Sequence, residues 1–441
     1  MNAIVEKMEQ AGLPQAAVRA FLHAVEGLQK KAGMQVSEAE ISPASGLPEW
    51  EELVAATQPA GPELLGQTVI IKLNGGLGTS MGLQQAKSLL EIKPGVTFLD
   101  LIVRQVQALR RQAGCPVQLL LMNSFSTSAD TMAYLQRYAE FADAAQVEML
   151  QNKVPKLEKD TLLPISWPEQ PELEWCPPGH GDIFPALAGS GWLDRLLERG
   201  VRYAFVSNSD NLGAQPDARF LRYFAECGAP FVMEVTPRTE ADKKGGHLAV
   251  RRADGQLILR EVAQCPEEDV PYFRDITRHR YFNTNNLWIR LDALRDFMRE
   301  HGGVVPLPVI SNEKHVNPRD AATPAVYQLE TAMGAAIQCF AGAQAVSVPR
   351  SRFFPVKTCS DLLLLRSDAV EIDSSGRMQL APECGGVAPV VSLDAQEYKL
   401  VDSLRELGVP SLKHVRRLVV RGKHRFAPGE ALSGEVELGQ G

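Results

Sequence analysis

The amino-acid sequence predicts an α/β fold whose core is a mostly parallel, doubly wound sheet. Apolar or β-branched runs occur at residues 68–73, 117–122, 202–207 and 231–235, and helical patterns at residues 99–111 and 131–141 separate them. This alternation is typical of right-handed βαβ units. Because such sheets bind ligands at the carboxyl ends of their strands, the residues that follow each run are candidates for a functional site.

Length and composition narrow the class of protein. The chain has 441 residues, of which 45% are hydrophobic and 22% are charged. These values are ordinary for a globular protein of two or three domains. The formal net charge of −7 argues against broad binding to nucleic acid or to anionic membranes, so we expect neither as a partner.

The N-terminal residues and the cysteines predict a cytoplasmic protein. The chain begins with neither a signal-peptide nor a transit-peptide pattern, and no run approaches the roughly 18 apolar residues that a membrane helix requires. The seven cysteines include no Cys-x-x-Cys pair. This spacing favours reduced thiols over a zinc site or a disulfide framework.

The sequence suggests three regions, at residues 1–60, 61–389 and 390–441. The first contains an amphipathic helical pattern at residues 15–31 and a stretch rich in Pro, Gly and acidic residues at 37–62, which predicts a surface linker. The second contains the predicted sheet. The third has a charged helix-like stretch at 397–407 and short runs at 416–421 and 431–438, which predict a small β-containing domain.

A glycine-rich segment directly follows the first predicted strand, with glycines at positions 75, 76, 78 and 82. Glycines let the backbone approach a phosphate chain with its N–H groups pointing inward, and we expect a following helix N-terminus to add a favourable dipole. The segment lacks the Gly-Lys-Ser/Thr ending of a Walker loop. A tight turn with no ligand is the alternative. Lys87, shortly after it, could neutralise phosphates as a point charge.

Two further segments predict substrate contacts. Residues 177–182 place two prolines and two glycines around His180, which suits a rigid substrate wall, although a plain connecting loop fits as well. Residues 206–213 follow an apolar run and carry Asp210. At that strand end Asp210 could bind Mg²⁺, which prefers one or two carboxylates together with phosphate oxygens. The alternative is an Asx turn or helix cap formed by Asp210 or Asn211.

Amides and cations mark two more segments. Residues 282–288 contain three asparagines, whose amides match sugar hydroxyls. Residues 348–357 interleave Arg350, Arg352 and Lys357 with apolar side chains, which predicts a phosphate clamp. The sequence contains neither a Gly-x-Ser-x-Gly elbow nor a His-Glu-x-x-His motif, so we expect no covalent nucleophile.

These segments occur in one fixed order that resembles a known family. KLNGGLGTSMG, PPGHGD, VSNSDNLGA, EVTPRTEADKKGG, FNTNNLW, QLETAMGAAI and VPRSRFFPVKTCSDLLLL together are similar to the UTP–glucose-1-phosphate uridylyltransferases, or UDP-glucose pyrophosphorylases, of the eukaryotic type. The resemblance implies a Rossmann-like nucleotidyltransferase core with a mixed sheet, an N-terminal helical extension and a small C-terminal β-helix-like domain. It also implies the Mg²⁺-dependent reaction of UTP with glucose 1-phosphate to give UDP-glucose and pyrophosphate.

The resemblance assigns roles to individual positions. UTP would be held by Leu73, Asn74, Gly75, Gly76, Lys87, Gln151, Gly179 and Asn208, with Gln151 and Gly179 reading the uracil. The sugar phosphate would contact His180, Asp210 and Asn285. Asp210 would also hold Mg²⁺, and Lys87 and Lys357 would be the catalytic cations.

The chemistry of the family agrees with these residue types. Both substrates are polyanions, and a phosphate monoester is already a competent nucleophile near neutral pH. In-line attack on the α-phosphorus therefore needs positioning and charge neutralisation rather than a covalent intermediate or a strong base.

The sequence departs from the family pattern and leaves alternatives open. Gln85-Ala86 stands where the family usually has Gly-Pro before the lysine. The C-terminal region is shorter than in eukaryotic members, so self-association through it is not assumed. A related enzyme for N-acetylhexosamine 1-phosphate or several sugar phosphates, and a non-catalytic nucleotide-sugar-binding protein, are the alternative functions.

Overall fold

The computed structural model describes residues 1–30 and 35–439. The α-helices in this part of the chain are α1 (Asn2–Gln10), α2 (Gln15–Lys30), α3 (Trp50–Ala56), α4 (Pro62–Gly66), α5 (Phe98–Ala113), α6 (Ser128–Leu135), α7 (Ala144–Val147), α8 (Ile183–Gly189), α9 (Trp192–Glu198), α10 (Ala218–Cys227), α11 (Val270–Arg274), α12 (Leu291–Glu300), α13 (Cys359–Arg366) and α14 (Ser403–Leu407). Within the described residues, no helix is both long and apolar enough to cross a bilayer.

The β-strands of the same residues are β1 (Ile41–Pro43), β2 (Thr68–Asn74), β3 (Glu91–Lys93), β4 (Val96–Thr97), β5 (Gln118–Asn123), β6 (Glu148–Leu150), β7 (Val154–Pro155), β8 (Leu157–Glu158), β9 (Trp175–Cys176), β10 (Tyr203–Asn208), β11 (Phe231–Pro237), β12 (His247–Arg251), β13 (Leu257–Arg260), β14 (Tyr281–Arg290), β15 (Val309–His315), β16 (Ala325–Thr331), β17 (Gln344–Ser347), β18 (Val370–Ile372), β19 (Met378–Leu380), β20 (Val390–Leu393), β21 (Val415–Val420) and β22 (Gly434–Leu438). The predicted α/β class is confirmed.

A mixed sheet forms the centre of the molecule. Its main path runs β1-β12-β14-β10-β2-β5-β6, with β11, β13 and β17 branching from it. Strands β10, β2, β5 and β6 are parallel neighbours, whereas β14 is antiparallel to both β10 and β11. All seven residues of β2 are buried, as expected for a strand covered on both faces.

Helices cover both faces of this sheet. On one face the buried residues of α5, α10 and α13 pack together, and on the other those of α8, α9 and α12 do so. Helix α5 starts at a capping box between Thr97 and Asp100, and its C-cap is Gly114, whose left-handed φ of 64° favours glycine. The two covered faces support the doubly wound prediction.

The N-terminal region contributes to the core. Helix α2 buries Val18, Phe21 and Val25, which confirms the amphipathic prediction up to Lys30. Residue 31, the last of the predicted stretch, lies outside the described residues. The prediction that residues 37–62 form a surface linker is wrong. Strand β1 pairs with β12 in the main sheet, and Trp50 is buried, stacked on Phe220 at a ring-centroid distance of 4.6 Å.

Beyond α13 the chain forms a small three-stranded sheet. Its strands β20, β21 and β22 pair in parallel in chain order, which is the arrangement of one wall of a β-helix. The helix-like pattern at residues 397–407 is only partly realised, because α14 covers its second half alone. The pattern at 131–141 is likewise split between α6 and a 3₁₀ turn at Ala139–Phe141.

Candidate active site

The carboxyl ends of four parallel strands meet at one edge of the main sheet. Leu73 of β2 pairs with Asn208 of β10 on one side, and Asn74 pairs with Asn123 of β5 on the other. The glycine-rich segment, the Asp210 segment and Gln151 therefore leave the sheet at the same edge. Topology places a ligand site of an α/β sheet at such an edge.

The glycine-rich segment turns back on itself instead of entering a helix. Gly78 and Gly82, with φ of 66° and 78°, flank a 3₁₀ turn at Thr79–Met81. A second 3₁₀ turn begins at Lys87, whose backbone N–H donates to the carbonyl of Gly76 at 3.0 Å. The prediction of a helix N-terminus directly after the loop is wrong, because two left-handed glycines interrupt the backbone and the next α-helix begins only at Phe98.

Lys87 and Asp210 meet at this edge. The ammonium of Lys87 donates to Oδ2 of Asp210 at 2.7 Å, and their side chains are 15% and 20% exposed. The side chain of Asp210 thus contacts a cation and does not cap a turn. A metal ion or phosphate that reaches this pair meets one carboxylate and one ammonium.

The side chain of Gln151 lies between Gly75 and Gly179. Its Nε2 donates to the carbonyl of Gly179 at 2.9 Å, while its Oε1 would stand only 2.7 Å from a Cβ placed at Gly75. Gly179 has a φ of 80°, and a Cβ there would come within 2.5 Å of the carbonyl oxygen of Thr331. Gly179 is therefore fixed as glycine by its left-handed backbone and by the Thr331 backbone, whereas a side chain at Gly75 would displace the Gln151 amide from its present position.

His180 is held as a neutral imidazole. Its Nδ1 accepts a hydrogen bond from the backbone N–H of Met333 at 3.0 Å, and burial lowers the pKa of His180 to about 4. The ring proton therefore resides on Nε2, which is free to donate to a ligand oxygen. Nearby, Asp182 accepts from the backbone N–H of Asn152 at 2.7 Å, and burial raises the pKa of this carboxyl to about 7.

Asn285 occupies a bulge in β14. The pairing register with β11 shifts between Glu234 and Val235, and Asn285 has a left-handed φ of 58°. Reciprocal bonds to Asn283 hold this conformation: Asn283 Nδ2 donates to Asn285 Oδ1, and Asn285 N donates to Asn283 Oδ1, both at 2.9 Å. Bulges are common beside active sites because they redirect a side chain.

The predicted clamp of three cations is wrong for its two arginines. Arg352 forms a two-pronged pair with the fully buried Glu234 at 2.7 and 2.8 Å and lies 3.9 Å from the ring centre of Trp50. Arg350 pairs with Asp242 at 2.8 and 3.1 Å. The sequence conceals these partners because they lie 118 and 108 residues away.

Lys357 is exposed, as Arg350 is, but among the described residues its ammonium forms no ion pair. Burial raises the pKa of the Glu261 carboxyl, and the positive charge of Lys357 opposes that rise. The preceding residue, Val356, donates its backbone N–H to the carbonyl of Asp210 at 3.2 Å. Lys357 is therefore joined through the backbone to the Asp210 segment.

Leu73 and Asn74 point into the protein. Leu73 belongs to the apolar core, and the amide of Asn74 donates to Asn123 Oδ1 at 2.7 Å and to Thr131 Oγ1 at 3.0 Å. Their side chains are consequently used for packing, and only their backbone faces the loop. The sequence analysis assigned no role to Lys72 or Glu234, although a lysine or a glutamate within an apolar strand signals a buried polar contact. It named Asn211 as a turn or cap residue, whereas its side chain bonds Phe354 N and the carbonyl of Arg352.

The described residues contain no preformed metal site, because no three His, Cys, Asp or Glu side chains are arranged so that they could hold a metal ion. Asp210 presents a carboxylate to Lys87 beside the glycine-rich segment. A single carboxylate suits a cation that takes its remaining ligands from water and from the phosphates of a substrate, as Mg²⁺ does.

Comparisons with known proteins agree on one family. The family model described as UTP–glucose-1-phosphate uridylyltransferase matches residues 18–432. The UTP–glucose-1-phosphate uridylyltransferase of Saccharomyces cerevisiae is 42% identical over 87% of this chain and 76% of its own length. The enzyme of the same name from Solanum tuberosum is 41% identical over 85% of this chain and 77% of its own.

Solved structures give the same result. A variant of UDP-glucose pyrophosphorylase from Leishmania major in complex with UDP-glucose superimposes with a TM-score of 0.93 at 48% identity, covering 99% of this chain and 93% of that one. The structure named UDP-glucose phosphorylase from Trypanosoma brucei gives a TM-score of 0.90 at 43% identity, covering 99% of each chain.

Proposed function

The chain belongs to the UTP–glucose-1-phosphate uridylyltransferase family, and from this we propose that it transfers the uridylyl group of UTP to glucose 1-phosphate, releasing pyrophosphate. The observation that carries the proposal is the Lys87–Asp210 contact at 2.7 Å beside the glycine-rich segment. It supports the proposal because an ammonium and a carboxylate lie together beside the segment that would hold the triphosphate.

The nucleotide binds across the glycine-rich segment. Gln151, whose amide carries both a donor and an acceptor, reads the edge of the uracil together with the backbone of Gly179. Gly75 and Gly76, with the backbone of Leu73 and Asn74, hold the rest of UTP, and Asn208 contacts it from the end of β10. The seating of Gln151 against Gly75 and Gly179 supports this placement.

The reaction is an in-line displacement without a covalent intermediate. A phosphate oxygen of glucose 1-phosphate attacks the α-phosphorus of UTP, the bond from that phosphorus to the bridging oxygen breaks, and pyrophosphate leaves. No side chain needs to remove a proton, since the attacking oxygen is already ionised. His180 donates a hydrogen bond from Nε2 to the sugar phosphate, and its low pKa fits a neutral donor and not a cation.

Lys87 and Lys357 neutralise the negative charge of the substrate phosphates. In the structure Lys87 is paired with Asp210, so substrate binding exchanges that carboxylate for phosphate oxygens. Lys357, exposed and joined to the same segment, contacts phosphate from the other side. Asn285, redirected by its bulge, contacts a hexose hydroxyl.

Nucleotidyltransferases of this kind generally use a divalent metal, and we propose Mg²⁺ bound by Asp210. When bound, Mg²⁺ would neutralise phosphate charge and fix the geometry of the triphosphate. The location proposed is the cytoplasm, which the seven cysteines support because none is in a disulfide.

A pyrophosphate-release assay tests the activity. Purified protein is supplied with Mg²⁺, glucose 1-phosphate and, in separate reactions, UTP, ATP or GTP, and then with UTP and N-acetylglucosamine 1-phosphate. We expect turnover with UTP and glucose 1-phosphate to exceed every other combination. Faster turnover of the N-acetylated sugar would establish the related enzyme instead, and no turnover of any pair would establish a binding protein.

A further inference from the structure

Lys72 is a buried cation that the proposed reaction does not use. It lies in β2 immediately before Leu73 and is 2% exposed. Its ammonium donates to Ser207 Oγ and to the carbonyl of Ala214, both at 2.8 Å. Both acceptors are neutral, and among the described residues no carboxylate forms an ion pair with Lys72. Burial therefore lowers the pKa of Lys72 to about 7, although the charges of Glu234 and Asp210 oppose that fall.

The two acceptors enclose one functional segment. Residues 208–214, named here the Asp210 loop, begin directly after Ser207 and end at Ala214. The loop leaves β10, presents Asp210 to Lys87, and returns toward the sheet. One ammonium therefore joins the two ends of the loop at its base.

Other contacts hold the middle of the same loop. Phe354 N donates to Asn211 Oδ1 at 2.8 Å, and Val356 N donates to the carbonyl of Asp210 at 3.2 Å. These contacts connect the loop to the segment that carries Lys357, but they do not restrain its base. At the base, Ser209 N also donates to the carbonyl of Leu73 in β2 at 3.0 Å, and Arg352 Nη2 donates to the carbonyl of Gln215, the residue after Ala214, at 2.8 Å.

We propose that Lys72 is a positioning residue, which acts by joining Ser207 to Ala214 and so fixing the direction in which the Asp210 loop presents its carboxylate. It touches no substrate. Its effect on the reaction passes through Asp210 and, across the 2.7 Å contact, through Lys87. Burying an ammonium without an ionic partner lowers stability, and such costs are expected beside an active site, where they preserve the geometry of the site.

The test replaces the ammonium and keeps the methylene stem. In Lys72→Met we expect kcat for UTP and glucose 1-phosphate to fall at least about tenfold, a modest fraction of such positioning effects. The KM for UTP should change less than about threefold, because Gln151 and the glycine-rich segment are untouched. The matched control is Lys156→Met, since Lys156 is 3% exposed and donates to the carbonyl of Val316 at 2.8 Å, outside the proposed site.

Two readouts separate positioning from a structural role. Amide hydrogen exchange should rise in peptides covering residues 208–214 of Lys72→Met and not in those of Lys156→Met. In an Asp210→Asn background, Lys72→Met should lower kcat less than about threefold, because Lys72 acts through the Asp210 carboxylate, which this background already lacks. Wild-type kcat in Lys72→Met, unchanged exchange in the loop, or additive losses in the double variant would each overturn the proposal.

The proposal relies on the proposed function only for its kinetic readout. If wild-type protein turns over no substrate pair, the proposed function fails, and hydrogen exchange alone decides the role of Lys72. If Lys72→Met does not fold, Ser207→Ala removes one of the two acceptors. We then expect a smaller fall in kcat with increased exchange in residues 208–214, and unchanged exchange there would contradict the proposal.

Discussion

Lys87 and Asp210, which are 123 positions apart in the chain, form an ion pair of 2.7 Å at the edge of the central sheet. The parallel pairing of β2 with β10 brings them together, because each lies in a segment that follows one of these strands. Both side chains retain some exposure, at 15% and 20%, so a charged substrate can reach them. Under the proposed function the pair would separate, with Lys87 moving to a phosphate oxygen and Asp210 to the metal ion.

Removing either lysine of the phosphate site should slow the reaction. We expect Lys87→Ala and Lys357→Ala to lower kcat at least about tenfold and up to the order of 10²–10³, the usual loss for one electrostatic contact in a transition state. Steady-state kinetics at saturating UTP and glucose 1-phosphate measures this. The control is Lys159→Ala, whose ammonium pairs with the exposed Glu313. Wild-type turnover in both site variants would show that neither Lys87 nor Lys357 stabilises the phosphates during the reaction.

Asp210→Asn should raise the magnesium requirement. An amide oxygen is a weaker ligand for Mg²⁺ than a carboxylate, so we expect half-maximal activity at a Mg²⁺ concentration at least about tenfold higher. A magnesium titration at fixed UTP gives this value. Asp254→Asn, which alters an exposed carboxylate paired with Arg251, is the control. A titration curve that coincides with that of the wild type would show that Asp210 does not bind the metal.

His180 should make stability depend on pH. Its pKa is lowered to about 4, whereas a histidine in the unfolded chain titrates near 6.5. Between these pH values the unfolded chain binds a proton that the native chain does not. The contribution of neutral His180 to the free energy of unfolding is therefore complete above pH 6.5 and is lost as the pH falls toward 4.

The size of this effect follows from the titration. When the pH falls from 7 to 5.5, His180 should lower the free energy of unfolding by about 1 kcal/mol. Urea unfolding of the wild type and His180→Gln at both pH values measures it, and the other histidines cancel in the comparison. Equal pH dependence in the two proteins would contradict a depressed pKa.

Glu234 should be required for folding stability. It is fully buried and accepts from Arg352, from Asn286 Nδ2 at 3.0 Å and from Trp288 Nε1 at 2.9 Å. Glu234→Gln would leave the buried charge of Arg352 without its partner, and we expect a loss of about 3–5 kcal/mol in the free energy of unfolding. Denaturant unfolding measures this loss. Glu313→Gln, at an exposed ion pair, should remain near the wild type, and an equally small loss in Glu234→Gln would refute the structural role.

Local patterns were sufficient to predict much of the fold. Strands β2, β5, β10 and β11 begin within about one residue of their predicted positions, because a strand buried on both faces is a continuous apolar run. The helix expected after the glycine-rich segment does not form, since Gly78 and Gly82 take left-handed conformations. Trp50 lies in a stretch of linker-like composition, yet long-range packing on Phe220 buries it.

The candidate site was less accessible to sequence patterns alone. Asp210 and Lys87 were identified from their positions after strands, but their direct contact depends on the order of strands in the sheet. Gln151 and Gly179 came from the family resemblance, because no local motif distinguishes an ordinary glutamine. Arg352 was misassigned because its partner Glu234 belongs to a distant strand.

A crystal structure of the protein with UDP-glucose tests the central claim most directly. We predict that the uracil lies against Gln151 and Gly179 and that the diphosphate lies beside Gly76, with the Lys87 ammonium moved from Asp210 onto a phosphate oxygen. A ligand bound away from the segment that follows β2, with the Lys87–Asp210 pair intact, would contradict it.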